Sequence, residues 1–184
     1  MSPIDALLSR VSVPRVTEPG ISVEELDLVL RAGLRACDHG RLKPYRFILL
    51  EGEARERLGD AMSDYLHGDL VDVSEEAIEA AKNKALRAPT LLSVIFCPKD
   101  NEKIPESEQL ITAGCAAQLI VTAAHMIGLG AMWRTGNASY SGEVSRMLGL
   151  DENEQVVAMI FLGRPAANLP SPPEADPEAF LTRL

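Results

Sequence analysis

The sequence is short of nearly everything that announces a function. Its three cysteines, Cys37, Cys97 and Cys115, stand far apart with no C-x-x-C pair. An odd, scattered set excludes a disulfide framework and fits a reducing, cytoplasmic setting. No G-x-G-x-x-G joins a strand to a helix and no G-x-x-x-x-G-K-[ST] is present, so neither a Rossmann fingerprint nor a P-loop is available. His39, His67 and His125 fall in three different elements without H-E-x-x-H or Cys–His spacing, so no protein-bound metal is expected. Cations are scarce as well: 18 Lys and Arg face 27 Asp and Glu, a net charge of −9. That balance excludes the broad basic footprint with which proteins grip nucleic acid. The first ten residues lack a basic lead followed by an apolar core, so no secretory signal is expected there.

What remains is ordinary globular material. The chain has 184 residues, 46% hydrophobic and 24% charged, a length and composition that predict one domain over residues 1–184. One stretch imitates a membrane span: Leu110 to Trp133 carries no Asp, Glu, Lys or Arg. Thr112, Gly114, Gln118, Thr122 and His125 interrupt it, and a buried central helix or a subunit interface accounts for it better than lipid. No membrane association is therefore expected.

The coarse reading is mixed. Ser2-Pro3-Ile4-Asp5 and Ser22-Val23-Glu24-Glu25 each open a helix. The second buries Leu26, Val29, Leu30, Gly33, Leu34 and Cys37 and ends near Gly40. Strands follow at Tyr45–Leu50, Thr90–Cys97, Ala131–Arg134 and Glu154–Leu162. Helices fall at Glu53–His67, Ser74–Leu86, Glu106–Ile127 and Ser141–Leu148. Residues 164–184 hold five of the twelve prolines, which predicts an extended C-terminal arm. Its apolar end (Phe180, Leu181, Leu184) needs a surface to land on.

The charge map is more telling than the motifs. Between Arg31 and Arg46, five cations face one acid, Asp38. Arg31, Arg35 and His39 are spaced by four, which stacks them on one helix face over about 12 Å. Such a face serves either as solvated surface or as an anion site. Cys37, beside His39, continues the apolar stripe and reads as core rather than nucleophile. Two further cationic spots, Arg10-Val11-Ser12 and Trp133-Arg134-Thr135-Gly136, lie in or beside loops. Each offers a guanidinium, a hydroxyl and backbone N–H groups, the donors an isolated phosphate needs.

In order along the chain, Arg10-x-Ser12, Arg31-Ala-Gly-Leu-Arg35-Ala-x-Asp38-His39, Pro44-x-x-Phe47, Ala113-Gly114-Cys115-Ala116, Met132-Trp133-Arg134-Thr135-Gly136 and Phe161-Leu162-Gly163-x-Pro165 resemble the nitroreductase family. The match is nearest to its small bacterial NAD(P)H nitroreductases. The resemblance implies an α+β fold, a sheet packed among helices, with the long central helix at a homodimer interface. It implies FMN in clefts between subunits and NADH or NADPH as co-substrate. Residue by residue, Arg10 and Ser12 would hold phosphate or ribityl groups, with Val11 contributing through its backbone. Arg35 and His39 would line the isoalloxazine, and Trp133, Arg134 and Thr135 would approach from the other segment. Trp133 reads either as an aromatic wall or as plain core. Val11 stands where an Arg is more typical, and Pro14 where some larger relatives carry a flavin-contacting Lys.

The implied activity passes hydride from the nicotinamide through flavin to a nitroaromatic, quinone or similar small oxidant by a ping-pong mechanism. The flavin carries the chemistry, no catalytic side chain is required, and Arg35 is the candidate to stabilise charge on the reduced ring. The competing expectations are a flavin- or nucleotide-binding dimer that does not turn over, and a different flavin-dependent reaction on the same scaffold.

Overall fold

Ser2 and Ser22 do what their positions predict. Each side chain accepts the backbone N–H of the residue three ahead, Asp5 or Glu25, whose carboxylate in turn accepts the serine's own N–H. These two capping boxes start α1 (Pro3–Leu8) and α2 (Val23–Gly33) in a computed structural model that describes residues 2–69, 73–167, 169 and 171–184. The further helices are α3 (Glu53–Asp69), α4 (Glu75–Lys82), α5 (Glu106–Met126) and α6 (Gly142–Leu148). The strands are β1 (Val16–Thr17), β2 (Tyr45–Leu50), β3 (Thr90–Phe96), β4 (Gly130–Arg134) and β5 (Gln155–Pro165).

The fold is α+β. Among the described residues β5 organises the sheet, pairing antiparallel with β1, β3 and β4, while β2 pairs antiparallel with β3. Every residue of β3 is buried, as its unbroken apolar run requires of a strand covered on both faces. On one face Leu92, Val94, Ala131, Ala158, Ile160 and Leu162 meet Ala113, Ala116, Ile120 and Ala124 of α5 and Val29 of α2. On the other, Leu91, Ile95, Met159 and Phe161 meet Leu58 and Met62 of α3 and Val144 and Leu148 of α6. Half of the most apolar window of α5 is buried in this way.

Four expectations need correction. The second helix ends at Gly33, not near Gly40. Asp38 accepts the N–H groups of Leu42 and Lys43, at 3.1 and 2.8 Å, and Thr112 donates to the Cys37 carbonyl. These bonds hold a turn in which Gly40, Arg41 and Lys43 all have positive φ, a local alternative to continued helix. Arg35 and His39 therefore leave the helix, and Leu34 and Cys37 are exposed rather than core. The helix expected to reach Leu86 stops at Lys82 and passes into a 3-10 turn, Ala85–Arg87. Pro89 restricts Ala88 to an extended conformation and so favours unwinding just before it. The loop over residues 10–20 contains the short strand β1, too brief for a periodic signal. Its partners are Arg164 and Pro165, so β5 runs two residues into the stretch read as an arm.

Candidate active site

Alternation along β4 divides its side chains. Ala131 and Trp133 pack toward the α5 face, Trp133 only half-buried. At the far end of the strand a cleft of about 520 Å³ opens, floored by Met62, Met132, Met159 and Phe161 and walled by Trp133, Arg134, Thr135 and Asn137. Three cations converge on it: Lys84, Arg87 and Arg134. The Arg134 guanidinium lies 5.6 Å above the Phe161 ring and donates to the Pro14 carbonyl at 3.4 Å. Burial, then the neighbouring Arg87, lowers its pKa, and no carboxylate stands among the described residues that line the cleft. An apolar floor with a few convergent charged donors fits a planar ring system that carries anionic oxygens.

Arg10, Val11 and Ser12 run beside the start of the same strand. The Val13 N–H donates to the Ala131 carbonyl at 2.9 Å, covering the outer edge of β4. Gly130 permits this approach, because a Cβ there would stand 2.6 Å from Val16 and 3.1 Å from Val13. Val11 is nearly buried, so the loop offers its backbone but not that side chain. From Ala131 to Arg134 the strand rises about 10 Å. The loop and the cleft thus lie along one strand, at its two ends.

His125 marks how near Arg10 sits to the end of α5. Its Nε2 lies 3.2 Å from the Ser9 hydroxyl, and its Nδ1 is buried with no partner. Burial and the Arg10 charge lower its pKa.

Arg35 and His39 are elsewhere. His39 Nδ1 bonds Glu108 at 2.8 Å, at the opposite end of α5. Glu108 and His125 are seventeen positions apart, which at helical rise is about 25 Å. One chain therefore brings Arg10, Val11, Ser12, Trp133, Arg134 and Thr135 to one region and leaves Arg35 and His39 at a distance.

Lys84 and Arg87 are site cations that the sequence reading missed. The signal was present: Lys82, Lys84 and Arg87 follow one another with no acid between Glu79 and Asp100.

Away from the cleft, around the start of β5, Glu154 collects donors. Arg46 grips it through Nε at 2.9 Å and Nη2 at 2.7 Å, the Asp151 N–H adds 3.1 Å, and the Cys97 thiol donates at 2.9 Å. The Arg46 bonds hold Glu154 down at about 2. Burial, then the carboxylate itself, pushes the Cys97 thiol up to about 12. A thiol so high is no nucleophile.

Comparison with known proteins agrees with this architecture. The chain is 35% identical over 189 residues to "Putative NAD(P)H nitroreductase YdjA" of Escherichia coli, covering 99% of both. A nitroreductase-like family protein from Bacillus cereus superposes with a TM-score of 0.84 at 20% identity, over 100% of this chain and 96% of that one. An FMN-dependent nitroreductase from Clostridium difficile gives 0.69 at 21% identity, over 93% and 92%. The family model described as "Nitroreductase family" matches residues 8–164, which take in the Arg10 loop, α5 and all of β4. A sheet organised by β5, a cationic cleft at the end of β4 and a relative matching from end to end leave one conclusion: the chain belongs to the nitroreductase family.

Proposed function

We propose that this chain is an FMN-dependent NAD(P)H oxidoreductase acting on a nitroaromatic, quinone or similar small oxidant. Bound FMN supplies the two-electron redox chemistry between the nicotinamide and that oxidant. The observation that carries the reading is the alignment of the Arg10–Ser12 loop and the Arg134 cleft along β4. Arg10, the Ser12 hydroxyl and the Val11 backbone are the donors for the phosphate end. Thr135, Trp133 and Arg134 serve the ring end, where the guanidinium opposes negative charge and the apolar floor excludes water.

Arg35 and His39 enter this reading from a second copy. Leu110, Ile111 and Met126 are exposed on α5, on the broad side of the helix that also carries Gly114, where a Cβ would meet nothing within 4 Å. A side of that kind supports pairing of α5 with its symmetry mate, running in opposite directions. Such pairing carries the Arg35 and His39 end of one helix to the Arg10 end of the other. Phe180, which is 86% exposed, gives the 164–184 arm an apolar residue to lay on the same partner.

The experiment is spectroscopic. Purified protein is expected to bind FMN with a flavin absorbance band, to run as a dimer by light scattering and to oxidise NAD(P)H when a quinone or nitroarene is added. Colourless protein that takes up no FMN and oxidises neither nucleotide overturns the reading.

A further inference from the structure

The cleft does not end at its own rim. Arg87 belongs to its wall and also to a second groove of about 430 Å³, lined by Val16, Thr17, Glu18, Arg55 and Pro89 among others. One side chain thus separates two spaces: an apolar-floored cleft and an open groove with a cationic wall. We propose that this groove, with Arg87 at its junction to the cleft and Arg55 along it, holds the phosphate-bearing tail of the dinucleotide reductant while the nicotinamide reaches into the cleft.

The pattern of ion pairing in this segment supports the assignment. Lys82 is neutralised by Asp60 at 2.7 Å. Lys84 and Arg87, two and five residues on, make no ion pair among the described residues, and both are exposed. Arg55 reaches the groove from α3, its Nη1 donating to the Ala88 carbonyl at 2.6 Å and its Nε buried without a hydrogen-bond partner among the described residues. Glu18 is the one carboxylate in the lining, and it is turned back on the Gly20 N–H at 3.0 Å. A chain of net charge −9 repels a polyphosphate at long range, so recognition depends on such a local cluster. The shape favours a ligand with a planar head and an anionic tail over a compact, uncharged oxidant, for which the groove has no use.

The inference rests on the flavoprotein reading, and the test keeps the two apart. FMN-loaded protein is titrated calorimetrically with NADP⁺, which binds without reducing the flavin, and FMN affinity is measured separately by fluorescence. Arg87→Ala is expected to weaken NADP⁺ about tenfold, the scale of losing a charge-assisted bond at a partly solvated site. Arg87→Lys should restore most of the loss, and because Arg87 also lines the cleft, FMN affinity should fall in Arg87→Ala by a clearly smaller factor than NADP⁺ affinity. Thermal melts unchanged from the parent show that the variants fold. An NADP⁺ affinity that Arg87→Ala leaves untouched, or an FMN affinity that falls in parallel, overturns the groove assignment while leaving the flavoprotein reading intact. Failure of the parent protein to hold FMN overturns both.

Discussion

Two basic regions of this acidic chain put their charge to opposite uses. The segment from Arg31 to Arg46 is the richer, yet much of it is spent inside the molecule. Arg31 pairs with Asp27 at 2.7 Å, His39 with Glu108 at 2.8 Å, and Arg46 with Glu154 at 2.7 Å. The smaller set, Lys84, Arg87 and Arg134, has no such partners among the described residues and faces a cleft. A count of charge along the sequence measures the supply of cations. Only the fold shows which of them have been used.

The comparison can be broken most readily at Arg46. Its partner Glu154 has a side chain only 9% exposed, so Arg46→Ala leaves a carboxylate poorly solvated and unpaired. We expect a loss of about 2 kcal/mol in urea unfolding, moderated because Arg46 itself is 40% exposed. The same pair predicts acid sensitivity. Glu154 is held at about 2 in the fold against an ordinary value of 4.5. Its contribution is therefore complete above about pH 4.5 and fades as pH falls toward 2, because the unfolded chain takes up the proton first. Unfolding free energy measured across that window should fall with a slope that Arg46→Ala flattens.

At the cleft the expectation is reversed. Arg134→Ala should leave the urea midpoint nearly in place and weaken FMN by about tenfold, read from recovery of free-flavin fluorescence. An FMN affinity unmoved by that change would put Arg134 among the structural cations. Arg31→Ala stands at the small end. Its pair with Asp27 spans one helical turn at 74% and 56% exposure, so stability should shift by less than about 0.5 kcal/mol. FMN affinity should not move, and a loss there would restore the helix-face reading of Arg31, Arg35 and His39.

The frame of the molecule was largely legible. Ser2 and Ser22 at helix starts, Gly149 at the end of α6 and the apolar run of β3 are local signals that the fold obeys. Legibility stopped where a local pattern met a competing bond. The periodicity running from Leu30 to Cys37 is helical in sequence, but the Asp38 carboxylate and the Thr112 hydroxyl, 75 residues from Cys37, capture the backbone first. The grouping of Trp133, Arg134 and Thr135 was readable because they are consecutive. Lys84 and Arg87 join them only because the α4–β3 turn and the end of β4 border one cleft, and no spacing in the sequence encodes that meeting.

The Cys97–Glu154 contact bears on durability. Oxidants attack thiolate far faster than thiol, and burial with the neighbouring carboxylate pushes this thiol up to about 12, so it stays protonated at neutral pH. If the proposed flavin chemistry holds, reduced flavin meeting oxygen would expose the protein to peroxide, and the state of this thiol would then matter. Cys97, buried and donating to a carboxylate that stays charged, is kept as the thiol, the form least open to sulfenic acid formation.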